Sequence, residues 1–274
     1  MNIINRNFFR ILRAGALDEN EPLEPMSEFK WNRLFQMIKS QNVSAIALEG
    51  IQARRDDENN NIPSELVAEL QASIYEAPKT KTQHAHSFEV PSLSNPILDH
   101  KLKKIFNNER HSIDTNIDSL RLLGIIIDNV QTILNKGMSL GGVLELGKFL
   151  RTRGDKVDFV KIDNWLQALH MRRMAQLQGS ILILVFNFEQ DEIPFVNNIE
   201  PSAGKIILRT VTNLATDTAE EWHFRQGRSG FVRNNSAVLR RNLRRSLRYI
   251  AYAPIETTSN FVSNFARSLS EIEE

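Results

Sequence analysis

The apolar residues of segment 157–195 constrain the fold more than any other feature of the sequence. Ile162, Trp165, Leu166 and Leu169 recur at i, i+3, i+4 and i+7, which is one face of a 3.6-residue period. Beyond His170, Met171, Met174, Ala175, Leu182, Val185 and Phe186 trace a second helix that becomes apolar all round and is therefore expected to be buried. The unbroken apolar run 181–186 alone would also fit a strand. The helix formers at 172–178 decide for helix, although Gly179 costs about 1 kcal/mol there.

The same period governs the rest of the chain. Phe8, Phe9 and Leu12 predict a short first helix, closing before an acidic, proline-bearing loop at 18–25. Trp31, Leu34, Phe35 and Ile38 predict a second, with Ser27 as N-cap, its hydroxyl accepting a free backbone N–H. Val43, Ile46, Ala47 and Gly50 predict a third, and Leu66, Val67, Leu70 and Ile74 a fourth opening at Pro63. Leu98, Leu102, Ile105 and Phe106 mark a fifth face, continued by Ile113, Ile117, Leu120, Gly124 and Ile127 after a register shift near Asn107. Gly137 ends that run, and Ser139 can cap a helix bearing Leu140, Val143, Leu144, Gly147 and Leu150. Ile207, Val211 and Leu214 predict a further helix, 237–251 another, and 260–269 a last short one. No segment alternates at period two. The expected fold is all-α, a multi-helix bundle-like array. Segment 1–76 forms an N-terminal helical part, the proline-containing stretch 77–96 a linker, and 97–274 a larger helical region, the two able to pack as one unit.

Charge narrows the function. Thirty-four Lys+Arg against 33 Asp+Glu leave +1, so no global field steers the chain toward nucleic acid. Without cysteine there is neither thiol catalysis nor a thiolate metal site, which fits a reducing compartment, and a cytoplasmic location is expected. Arg10 and Arg13 interrupt the N-terminal apolar residues, so no signal-peptide core is expected, and no run approaches the ~18–20 residues of a membrane span.

Three motifs imitate known chemistry. Residues 142–149 resemble a phosphate-binding loop, but Phe149 replaces the hydroxyl that would hold magnesium and the interior is apolar at helical spacing. Gly179-Ser180 followed by Glu189, Asp191 and Glu192 imitates a nucleotidyltransferase, in which a Gly-Ser turn precedes paired carboxylates that hold magnesium. That alternative makes Glu189, Asp191 and Glu192 metal ligands and magnesium the cofactor; otherwise no cofactor is expected. His84, His86, His100 and His111 lack ligand spacing, and Gly227–Gly230 lacks the setting of a nucleophile elbow.

One further feature is a basic helix. Eight arginines and no acid lie between Arg225 and Arg248. Arg240, Arg241, Arg244, Arg245 and Arg248 cover roughly 140° of the helical wheel at ~100° per residue, opposite Leu239, Leu243, Leu247 and Ile250. The leucine side is expected inward. The arginine side is then either solvated and paired with the protein's own acids, including those of the C-terminal tail, or a site for phosphate, nucleic acid or an anionic lipid surface. The expected partner is a protein or an anionic ligand.

Residues 8–17, 31–52 (with QNVSAIALEGIQ), 137–150 (GMSLGGVLELGKFL), KVDFVKIDNWLQAL and FNFEQDEIPF together resemble the uncharacterised nucleotidyltransferase-like proteins of Bacteroidetes linked with polysaccharide gene clusters. KIILRTV and the late basic helix before Pro254 are similar too. The resemblance implies a helical scaffold flanking a catalytic mixed sheet with paired aspartates. Here 77–96 stands where that sheet belongs, and no Asp-x-Asp strand occurs. The resemblance therefore implies a shortened, non-catalytic relative acting in binding or assembly, in polysaccharide-related processes, with no catalytic residue to carry over.

Overall fold

The computed structural model describes residues 1–54, 60–76, 90–212 and 235–270. Among them are twelve α-helices and no strand, so the protein is all-α. The helices are α1 (Ile3–Leu17), α2 (Glu28–Ser40), α3 (Ser44–Gln52), α4 (Ser64–Glu76), α5 (Pro96–Arg110) and α6 (Ile117–Lys136). They continue with α7 (Leu140–Arg153), α8 (Phe159–Ala168), α9 (Arg172–Val185), α10 (Ala203–Thr212), α11 (Asn235–Tyr249) and α12 (Pro254–Ser270).

Local chemistry sets several helix starts. Asn95, Asn116, Ser139 and Asp158 each accept a first-turn N–H through the side chain, and Pro96 sits at the first helical position of α5, where its missing N–H costs nothing. Ser27 departs from expectation: it stands at the N-cap of α2 but its hydroxyl makes no capping bond. Gly137 ends α6 with φ 99°, a left-handed value that a side chain would strain.

α1 and α3 cross with their backbones in contact. A Cβ on Gly15 would lie 1.9 Å from the Ile46 carbonyl oxygen, and one on Gly50 2.0 Å from that of Ile11. The crossing brings Phe8, Phe9, Ile11 and Leu12 into a core that continues without interruption through α6, α7 and α9. Phe9 meets Phe186 edge-on, with ring centroids 5.7 Å apart. The central α9 carries the helix expected of residues 172–185 and seats Met174, Leu177, Ile181 and Leu182 in full burial. Leu184 is 44% exposed, so the helix is not buried all round.

One further expectation fails. Ile113 does not extend a helical face: α5 stops at Arg110, and Ile113 lies fully exposed in the turn before α6. Thr115 and Asn116 hold that turn by bonding to the carbonyl and carboxylate of Glu109, so polar geometry rather than apolar spacing sets the break. Of the stretch expected as linker, 77–89 lies outside the described residues. Residues 90–95 are packed down, with Pro91 and Leu93 buried and the Ser94 and Asn95 N–H groups both donating to Glu256 at the start of α12.

Candidate functional site

The basic helix is turned differently from expectation. Among the described side chains of α11 the buried ones are Arg245, 5% exposed, and Tyr249, 0% exposed, whereas Leu243 is 43%, Leu247 63% and the following Ile250 40% exposed. Arg240 and Arg244 are exposed, and Arg241 and Arg248 half-buried. The leucine side therefore faces out, correcting the inward expectation; the side chain of Leu239 lies outside the described residues.

The reason is visible at the end of α6. Asn135 lies in the last turn of that helix, where backbone carbonyls have no intrahelical donor and carry the negative end of the helix dipole. The Arg245 guanidinium donates to the Asn135 carbonyl, while Asn260 and Asn264 of α12 bond the Asn135 side chain. Tyr249, Tyr252 and Ala253 are buried as α11 runs into α12. An arginine that satisfies a helix end and an aromatic with more area than leucine win the inward position. Among the described residues, Arg240, Arg241 and Arg244 form no ion pair. The C-terminal acids expected to pair with them, 271–274, lie outside the described residues.

The acidic alternative occupies the turn after α9. Glu189 and Asp191 are exposed. Glu192 is used locally: one carboxylate oxygen accepts the Glu189 N–H at 2.7 Å and the other faces the Arg151 Nε at 3.3 Å. Arg151 also stacks over the Phe188 ring, 4.2 Å from its centroid. No group of three His, Asp or Glu side chains is placed to hold a metal ion among the described residues. Gly179 and Ser180 lie inside α9 rather than on a turn. A Cβ on Gly179 would strike Val196 at 2.4 Å, so that glycine admits the chain that folds back after the helix. The Ser180 hydroxyl donates to the Gln176 carbonyl and accepts the Glu200 N–H, fixing the same return segment.

The phosphate-loop imitation lies within α7, its glycines spent on packing: a Cβ on Gly147 would lie 2.9 Å from Leu182 and 3.0 Å from Phe188. His100 and His111 are exposed, and His111 Nδ1 bonds the Asn107 carbonyl oxygen. His84, His86 and Gly227–Gly230 lie outside the described residues.

One cluster was not anticipated. Arg6, Arg10 and Arg13 project from α1 onto the acidic loop that follows it: Arg6 and Arg10 pair with Glu24, Arg10 and Arg13 with Glu21, and Arg13 approaches Glu19 at 3.5 Å. Arg151 and Asn187 join the same acids from the far side. The buried Arg13 also donates to the Val185 carbonyl, closing the end of α9. The hydrogen bond from Arg6, followed by the charges of Arg6 and Arg10, lowers the Glu24 carboxyl to about 2. Burial pushes Glu21 upward, but Asn187, Arg13 and Arg10 together hold it below its ordinary value. The signal was present in the sequence as three arginines at i, i+4 and i+7 beside three glutamates. Every group here has a partner, so the cluster is a fastening rather than a vacant site.

Among the described residues no helix is long and apolar enough to cross a membrane. The fold and the surface together define an all-α multi-helix protein with a mixed arginine and leucine face. No family model matches the chain, and neither a curated protein nor a solved structure matches it.

Proposed function

We propose that this chain is a non-catalytic helical binding or assembly protein whose working surface is the outer face of α11 together with α12. One observation carries the reading: Leu243 and Leu247 stand outward beside Arg240 and Arg244, and those arginines form no ion pair among the described residues. Apolar side chains grouped on a surface mark contact sites more often than scattered ones do. The groups that imitate chemistry support the same reading. Glu192 holds its turn and Ser180 the segment that returns from α9, and Gly142, Gly147 and Gly179 are taken up by close packing. The resemblance to nucleotidyltransferase-like proteins belongs to this proposal as ancestry, with the helical flanks kept and the transferase chemistry lost.

The test is a turnover assay with each nucleoside triphosphate and magnesium. No turnover is expected, and Asp191→Asn should leave a magnesium titration unchanged. Magnesium-dependent turnover abolished by Asp191→Asn would overturn the reading in favour of an enzyme using Glu189, Asp191 and Glu192.

A further inference from the structure

We propose that the outer face of α11 docks on an anionic lipid surface; this names the partner for the binding-protein reading above and rests on it. The apolar row Leu243, Leu247 and Ile250 occupies one sector of the exposed half of the helix, and Arg240 and Arg244 the sector beside it, within roughly 120° at ~100° per residue. Arg241 lies further round toward the core. A helix lying in a membrane interface needs this pairing, in which apolar side chains enter the acyl boundary and cationic ones reach phosphate.

Local charge fits the same partner. Residues 235–270 contain six arginines and a single acidic residue, Glu256. Glu256 is 1% exposed, and its carboxylate accepts the N–H groups of Ser94 and Asn95 and the side-chain amide of Gln131. No carboxylate of this stretch therefore faces a phosphate-bearing surface. The neighbouring α12 also leaves Ile255, 39% exposed, and Val262, 57% exposed, in solvent. A soluble polyanion would use the arginines and leave the leucines in water, whereas a lipid surface uses both. The Arg245–Asn135 bond and buried Tyr249 hold α11 on the body of the protein, so it is presented already ordered and docking costs little conformational entropy.

The experiment is flotation of the full chain with vesicles of equimolar phosphatidylglycerol and phosphatidylcholine, against vesicles of phosphatidylcholine alone. Binding to the anionic vesicles only, falling steeply with salt, is expected. Each arginine near such a surface strengthens partitioning roughly fivefold, so Arg240→Glu and Arg244→Glu together should weaken it by more than about twenty-fivefold. Leu243→Gln with Leu247→Gln, both at exposed positions, should weaken it at least about tenfold with an unchanged unfolding curve. Absence of flotation with anionic vesicles overturns the lipid assignment. So does flotation that survives the leucine substitutions. These failures leave the non-catalytic reading standing, which only magnesium-dependent turnover removes.

Discussion

Gly50→Ala measures how closely α1 and α3 are held. In an unconstrained helix interior the change adds stability, about 1 kcal/mol of helix propensity. Here the new methyl would sit 2.0 Å from the Ile11 carbonyl oxygen, which must retreat by about 1.4 Å to reach ordinary contact at 3.4 Å. Ile11 cannot move alone, because Phe8, Phe9 and Leu12 of the same helix are seated in the core. Overpacking of this kind costs about 3 kcal/mol or more when backbone must shift, so the net loss should be near 2 kcal/mol. Gly141→Ala is the control: it lies within α7, and the nearest atom to its Cβ is 3.8 Å away, so only the propensity gain remains. Urea unfolding followed by far-ultraviolet circular dichroism reads both. With a slope of about 2–3 kcal/mol per molar urea, Gly50→Ala should lower the midpoint by close to 1 M while Gly141→Ala raises it slightly. Equal midpoints for the two variants would refute the close crossing.

Arg245→Ala should cost about 1–3 kcal/mol in the same assay by stripping the Asn135 carbonyl of its donor, whereas Arg244→Ala, at an exposed position, should shift stability by less than about 0.5 kcal/mol. Glu24 has a folded-state value of about 2 against 4.5 in a free side chain, so its stabilising effect is complete above pH 4.5 and is lost as pH falls toward 2. Glu24→Gln should flatten the acid limb of a stability–pH curve, and an unchanged limb would remove Glu24 from that role. Glu192→Ala should cost about 0.5–1.5 kcal/mol through the freed Glu189 N–H, while Asp191→Ala, an exposed neighbour, should be neutral by thermal unfolding.

Helix positions were readable wherever an apolar face runs for several turns, because burial of one side imposes the 3.6 period directly on residue type. Residues 120–134, 140–150 and 162–185 are of this kind, and α6, α7, α8 and α9 follow them. The orientation of α11 was not readable for a definite reason. The helical wheel separates leucines from arginines but does not weigh one buried tyrosine and one arginine at a helix end against three aliphatic side chains. That balance depends on the Asn135 carbonyl, which is distant in sequence. The acidic loop after α1 was read only as a loop, since no periodicity tells which arginine its glutamates reach. Ile113 shows the converse: an apolar residue in register with a helix face is left outside when a polar turn at Glu109 and Thr115 ends the helix first.

The bond from Arg13 to the Val185 carbonyl spans 172 positions of the chain. At about 5–20 residues per second of synthesis, roughly ten to thirty seconds separate the two ends of that contact on the ribosome. During this interval α1 and α3 emerge with Phe9 packed on Phe8 but lacking Phe186, its edge-on neighbour, which has not yet been made. The N-terminal helices therefore depend on a late arrival for their last cover. Slowing translation within α9 should lengthen the window in which nascent chains aggregate or recruit chaperones.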